Sequence, residues 1–206
     1  MTSAQQAATT AFWQWLAAHA SRLPHLVDGE SPFWDEVLAA LKHIDNGLWL
    51  ELTTDADPGE VVITAGGDPD LFDLVDAISA QAPPLPGWQA IPLKRGMGFG
   101  FSITWEGVPL DPKQLWFEPL NDPDRPDIVG LRVAAPGHHA GADKDYGNGV
   151  LMLLDTALGE REAVRDIELL EVVAPPTDPD AEGYLPLVEL ANYIAWRRKR
   201  PASQIH

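Results

Sequence analysis

The chain contains an internal repeat. Residues 48–62, LWLELTTDADPGEVV, match residues 115–129, LWFEPLNDPDRPDIV, at a constant offset of 67 without a gap. The identical positions include a Leu-Trp pair, the glutamate two residues after each tryptophan and two aspartates. A match of this kind predicts one structural unit that occurs twice. It constrains the fold more than the chemistry, because no nucleotide-binding, metal-binding or nucleophile motif of recognised spacing accompanies it.

Each copy predicts the element order strand, strand, helix, strand, over residues 47–93 in the first unit and 115–173 in the second. In the first unit, LWLELTT alternates apolar and polar residues, which is the period of a half-buried strand. Pro58-Gly59 supplies a turn before the return strand, and Asp68-Pro69 opens the helix. The duplicated order predicts two similar units.

Four further segments complete the predicted architecture. Apolar residues at helical spacing predict a helix over 4–22 with Ser3 as its N-cap, and a second helix from Ser31 to about His43. An extra hairpin is expected over 99–110, and a last helix over 186–199. We therefore predict an α+β protein in a single domain, residues 1–206. It has an N-terminal helical hairpin, then two duplicated units that share a largely antiparallel sheet, and a C-terminal helix.

Composition narrows the class of protein. There is no cysteine, which excludes disulfides, thiolate metal sites and a cysteine nucleophile. The formal charge of −17 disfavours binding to nucleic acid or to an anionic membrane, and it favours a basic protein partner. Excess acid also serves simply to keep a surface soluble. With neither a signal-like start nor a long apolar run, we expect a soluble, cytoplasmic protein.

The first candidate site is the loop PGHHAGADKDYG at residues 136–147, which enters one copy of the repeat only. It holds side chains able to transfer protons or ligate a metal: His138, His139, Asp143, Asp145 and Tyr146. His138, His139 and Asp143 are the candidate metal ligands. Adjacent histidines in extended chain point in opposite directions, so the competing interpretation is a solvated connection in which Asp145 caps the next helix. No cofactor is predicted.

The second candidate is the equivalent pair Glu51 and Glu118. Each lies two residues after an equivalent tryptophan, on the same strand face. If duplication brought the two carboxylates together, they would form an acid–base pair of the kind used by carboxylate hydrolases. The alternative is a solvated sheet face that the glutamates keep soluble.

Two other segments favour structural interpretations. Lys94 to Gly100, KRGMGFG, resembles an anion cradle, but it leads into a strand instead of a helix, so we interpret it as a loop with close backbone packing. The cluster Arg197 to Arg200 could dock an acidic partner, and it also complements the dipole at the end of the last helix.

Three stretches resemble a family of uncharacterised bacterial proteins. They are FWQWLAAHASRL at 12–23, GLWLELTTDADPGEVVITAGGDPDLFDLV at 47–75 and APPLPGWQAIPLKR at 82–95. The resemblance is confined mainly to residues 12–95. The resemblance implies a bacterial origin, and it assigns no catalytic residues to this chain.

Three functions compete at this point. The leading hypothesis is a noncatalytic protein-binding or regulatory module whose acidic turns, Asp55 and Asp57 with the aligned Asp122 and Asp124, meet a basic partner. The second is a metal-assisted or carboxylate-dependent hydrolase that uses the 136–147 loop or the Glu51 and Glu118 pair. The third is an architectural subunit that forms a homodimer.

Overall fold

The computed structural model describes residues 1–26, 31–120 and 129–199. The fold is α+β, as predicted. The chain forms two compact units, Met1–Lys94 and Arg95–His206, and each of them holds one copy of the repeat.

The first unit begins with two helices that pack against each other. Helix α1 spans Ser3–Ala18 and is followed by a 3-10 helix, Ala20–His25, and by α2, Pro32–Lys42. The rings of Trp15 and Phe33 lie 5.5 Å apart between the two α-helices. This is the predicted N-terminal helical pair.

Local capping explains where these helices begin. The Thr2 hydroxyl accepts a hydrogen bond from the Gln5 amide, and the Gln5 side chain accepts one from the Thr2 amide, so Thr2 and not the predicted Ser3 is the N-cap of α1. In α2 the Ser31 hydroxyl accepts from the Phe33 amide, and Pro32 occupies the first helical position.

The sheet of the first unit has three strands in the order β1-β2-β3. The elements are β1 Trp49–Thr53, β2 Gly59–Thr64, the 3-10 helix Pro69–Leu71, α3 Phe72–Ser79 and β3 Trp88–Pro92. Strand β2 is antiparallel to β1 and parallel to β3. A crossover through α3 makes the parallel pairing possible, because parallel neighbours cannot be joined by a tight turn.

Helices α1 and α3 are tied together in the core of this unit. The Trp13 indole N–H donates to the Ile78 carbonyl at 2.8 Å, and Ile78 itself is fully buried. Leu50 and Ile63 are paired across β1 and β2 and are also buried. Burial of these apolar side chains is the main stabilising term for such a unit.

The second unit contains more elements. In chain order its strands and helices are β4 Ile103–Trp105, β5 Val108–Leu110, the 3-10 helix Pro112–Gln114, β6 Trp116–Leu120, β7 Val129–Ala134, α4 Asp143–Leu158, α5 Glu160–Asp166, β8 Ile167–Val173, β9 Leu185–Pro186, the 3-10 helix Leu187–Glu189 and α6 Leu190–Arg198.

The second unit repeats the pairing of the first and adds to it. Its main sheet has the order β8-β7-β6-β9, with β6 antiparallel to β7 and β7 parallel to β8. Strands β6, β7 and β8 therefore correspond to β1, β2 and β3. The additional strand β9 pairs antiparallel with the outer side of β6.

The prediction of one sheet shared by the two units is wrong. Within the described ranges, β1–β3 form one sheet, β6–β9 another and β4–β5 a separate hairpin. Both larger sheets also combine parallel with antiparallel pairs. At Trp116 and Phe117 the outer side of β6 is taken by β9 from its own unit.

The two hairpins differ in length. Trp49 pairs with Thr64, whereas the equivalent Trp116 pairs with Ala134, three residues further along than the gapless repeat predicts. Glu51 pairs with Val62 and the equivalent Glu118 pairs with Arg132, so the residue of β7 that corresponds to Val62 is Arg132 and not Val129. A shift by an odd number of residues also exchanges the two faces of a strand.

Helix α4 begins at Asp143, inside the predicted loop over 136–147, and its C-cap is Gly159, whose φ of 87° favours glycine. A Cβ at Gly149 would lie 2.7 Å from Leu110 Cδ1, so the helix backbone packs directly against the hairpin β4–β5. Among the helices in the described ranges, none combines the length and apolar content needed to cross a membrane.

Candidate functional site

The loop before α4 brings three of the predicted side chains together. His138 Nε2 lies 3.1 Å from Asp143 Oδ1, and the His138 and Tyr146 rings make a T-shaped contact with their centroids 5.2 Å apart. The His138 side chain is only 9% exposed, whereas Asp143 is largely in solvent. The Tyr146 hydroxyl donates to the Pro136 carbonyl at 3.2 Å, which closes the loop onto the helix.

Glycine is required inside this loop. Gly137 has a φ of 82°, and a Cβ there would lie 2.8 Å from the Tyr146 hydroxyl oxygen. The packing of the loop therefore explains Gly137, His138 and Tyr146 as parts of one closed turn.

The remaining residues of the loop do not join this cluster. His139 Nδ1 lies 3.1 Å from the Gly137 carbonyl oxygen, and Asp145 is exposed in the first turn of α4. The interpretation of Asp145 as the N-cap is wrong, because the cap position is Ala142, which has no side-chain hydrogen bond. Asp143 and Asp145 lie in the first turn, where the helix dipole favours negative charge.

The predicted metal ligands His138, His139 and Asp143 are not arranged as a ligand set. Across residues 1–26, 31–120 and 129–199, no group of three or more His, Asp or Glu side chains is placed to hold a metal ion. The cluster offers one histidine–carboxylate contact, which can hold an imidazole ring in a fixed orientation.

Each glutamate of the repeat has an ion-pair partner in its own unit. Glu51 Oε1 lies 3.7 Å from Lys94 Nζ. Glu118 Oε2 lies 2.6 Å from Arg132 Nη1. Neither glutamate is therefore the unpaired carboxylate on which the acid–base hypothesis depended.

Arg132 is at the centre of a charged row that sequence reasoning missed. Its Nε also donates to Glu171 Oε2 at 2.8 Å, so that Glu118, Arg132 and Glu171 form one row across β6, β7 and β8. Hydrogen bonds to Glu171, and then to Glu118, raise the pKa of the Arg132 guanidinium above its usual value. The gapless alignment of the two repeat copies does not match Arg132 to any residue of β2. Because the second hairpin is three residues longer than this alignment assumes, the pairing of Arg132 with Glu118 could not be predicted from it.

The corresponding row of the first unit is apolar beyond its glutamate. Glu51 pairs with Val62, and Val62 with Ile91, across β1, β2 and β3. Val62 and Ile91 are 6% and 3% exposed. Trp49 lies on the same face of β1 as Glu51, remains 48% exposed, and carries the Lys42 ammonium 3.7 Å from its ring centroid.

The glycine-rich segment near Lys94 is structural. The amides of Met97 and Gly98 donate to the carbonyls of Thr156 and Ala157 at the end of α4, both at 2.9 Å. A Cβ at Gly96 would lie 2.6 Å from the Leu158 backbone. These N–H groups therefore cap a helix C-terminus and are not available to an anion.

The residues of the basic cluster at the end of the last helix differ in exposure. Arg197 is buried, whereas Arg198 and Lys199 are exposed; Arg200 lies outside the described residues. Arg198 and Glu162 lie at an open groove of about 210 Å³ in the second unit, which is otherwise lined by Gly96, Ala157, Leu158, Ala191, Ile194 and Ala195.

The acidic turn of the first unit is exposed. Asp55 and Asp57 lie in the connection between β1 and β2, with their side chains in solvent. Asp122 and Asp124, the aligned pair in the second unit, fall outside the described residues.

No protein-family model matches the chain, and no match was found among curated proteins or among solved structures. The resemblance of residues 12–95 to uncharacterised bacterial proteins therefore stays a prediction.

Proposed function

We propose that the protein is a noncatalytic binding module whose first unit presents an acidic surface to a basic protein partner. Residues 1–94 hold 13 of the 31 acidic side chains and only 3 of the 14 basic ones. Such a surface attracts a cationic partner and accelerates its encounter.

The main observation behind this proposal is that each of the three basic side chains in the first unit contacts an aromatic ring or a carboxylate of the same unit. The Arg22 guanidinium lies 3.8 Å from the centroid of the Phe33 ring, Lys42 lies on the Trp49 ring, and Lys94 pairs with Glu51. All three basic side chains of the unit are thus held by specific neighbours.

Two groups of exposed aspartates on this unit are left for a partner. Within the described ranges, no ion pair is made by the exposed side chains of Asp55, Asp57, Asp68, Asp70 and Asp73. They lie in two places, the β1–β2 connection and the start of α3. Because their negative charge is uncompensated nearby, a basic surface would gain attraction without displacing an existing pair.

The test begins by identifying a partner. The purified chain is used to capture proteins from a lysate of the source organism at low salt, and the captured protein is identified by mass spectrometry and purified. Its affinity is then measured by calorimetry over a range of salt concentrations. We expect Asp55→Asn with Asp57→Asn to weaken binding by about threefold to tenfold and to reduce its salt dependence.

A matched control is available in the second unit. Asp180→Asn with Glu182→Gln also removes two exposed charges, and it should leave the affinity within about twofold of the wild type. Equal loss in both double variants would mean that net charge and not this surface attracts the partner. Unchanged affinity in the Asp55 and Asp57 variant would reject the acidic turn as the interface.

A further inference from the structure

The two units differ at one strand edge. In the second unit the outer side of β6 is covered by β9, in which Pro186 pairs with Trp116 and Leu185 with Phe117. In the first unit β1 is the edge strand of its sheet, and no described strand pairs with its outer side. The position next to the repeat strand is thus occupied by a strand at Trp116 and Phe117 in one unit and by no described strand in the other.

The backbone of β1 has unused hydrogen-bonding groups along this side. Its residues 49–53 pair with β2, and within the described part of the chain their backbones make no hydrogen bond to any other element. In an antiparallel pair, alternate residues direct their N–H and C=O groups away from the partner strand. An edge of this kind is a template for a further strand.

We infer that the outer edge of β1 receives an extended segment of the basic partner as an added antiparallel strand. This inference rests on the proposed function and specifies how the partner is held. In this mode of recognition, main-chain hydrogen bonds supply affinity and alternate side chains supply specificity. Strand β9 on β6 shows the geometry within the same molecule, since it adds to the equivalent strand from the same side.

Charge explains why the added strand belongs to a basic partner. The exposed side chain of Glu51, which pairs with Lys94, projects from β1, and Asp55 and Asp57 follow the end of the strand. Lysine or arginine side chains on one face of an added strand would lie close to these carboxylates. Trp49, whose ring contacts Lys42, is still 48% exposed and offers this remaining surface to apolar side chains of the added strand.

The opposite edge of the same sheet is less suitable. Strand β3 ends in Pro92, which has no amide hydrogen to offer a neighbouring strand. Strand β1 contains no proline, so its edge can accept a continuous ladder.

The test uses a synthetic peptide of about seven residues in which lysine and valine alternate, a typical strand length. Two isomers of this peptide carry N-methyl groups on the amides of either the lysines or the valines. In an extended strand these two sets of amides face opposite edges. Strand addition predicts that only one isomer loses affinity, by at least about tenfold, because only one set of amides faces β1.

Hydrogen exchange with the unmodified peptide locates the contact. We expect slower exchange of the outward amides in Trp49–Thr53, and no change at Trp116 and Phe117, whose outer side β9 already covers. The mass of the protein is measured by sedimentation in the same buffer.

Each other outcome overturns the inference in a distinguishable way. If both methylated isomers bind as well as the parent peptide and remain salt-sensitive, the acidic surface binds without strand addition, and the proposed function stands. If β1 amides are protected without peptide in a concentration-dependent dimer, a second copy of this chain occupies the edge. If the parent peptide does not bind, strand addition by a basic segment is rejected, and the Asp55 and Asp57 variant decides the proposed function independently.

Discussion

The two repeat units have the same strand pairing but use the sheet face around the repeat glutamate differently. In the second unit this face carries the ion-paired row of Glu118, Arg132 and Glu171. In the first unit the same row leads from Glu51 to the buried Val62 and Ile91. The same strand pairing is therefore compatible with either a solvated or a buried sheet face. Backbone hydrogen bonds determine the pairing, whereas the side chains determine which face is buried.

The opposite faces of the two sheets are alike, and truncation there should have the largest effect. Leu50 and Phe117 occupy equivalent, buried positions of β1 and β6. We expect Phe117→Ala to lower the free energy of unfolding by about 3–5 kcal/mol and Leu50→Ala by about 2–5 kcal/mol, through lost burial and the cavities left behind. Urea denaturation measures both. A loss below about 1 kcal/mol at either position would contradict its assignment to a core.

The buried face of the first unit should reject the charge that the second unit uses. Val62→Arg introduces the residue found at the equivalent position, Arg132, but in surroundings that exclude water. We expect a loss of about 3 kcal/mol, because a buried charge without full pairing is costly. Val62→Met adds length without charge and is the control. If the two variants have the same stability in urea, the guanidinium of the arginine variant reaches solvent, and this face of the first sheet is not buried.

The reciprocal change in the second unit should cost least. Arg132 is 34% exposed, so Arg132→Val removes two partly solvated ion pairs and leaves Glu118 and Glu171 on either side of an apolar residue. We expect a loss of about 1 kcal/mol at low ionic strength that shrinks as salt is added. Denaturation curves at two salt concentrations test this. A loss that does not change with salt would mean that packing of the arginine stem, and not charge, stabilises the row.

The sequence was sufficient to predict the main strands and helices but not α5, β9 or the strand register. Strands β1 and β6 were correctly matched by their Leu-Trp and glutamate positions, which are specific enough to align. The return strands are runs of interchangeable apolar residues, and the gapless match paired Val62 with Val129 where hydrogen bonding makes Arg132 the equivalent. Turn length sets register in a hairpin, and the extra three residues of the second connection carry no apolar pattern that would reveal them.

Candidate sites were harder to predict than elements because they depend on contacts between distant residues. Proximity of His138 to Asp143 and Tyr146 follows from local spacing at a helix start, and it was accessible from the sequence. The pairing of Glu118 with Arg132 and Glu171 depends on strand register and on a parallel crossover, neither of which is encoded in adjacent residues. Lys42 on Trp49 and Arg22 on Phe33 likewise require the packed helices.

The close approach of α4 to the hairpin β4–β5 has a kinetic consequence. A two-stranded hairpin is marginal by itself in water, and this hairpin gains no third strand among the described residues. Gly149 lets Leu110 and Trp105 reach the helix backbone, so the hairpin is held by a helix and not by a sheet. Its amide protons should therefore exchange with solvent at the rate set by departure of α4, and the two elements would open and close as one cooperative unit.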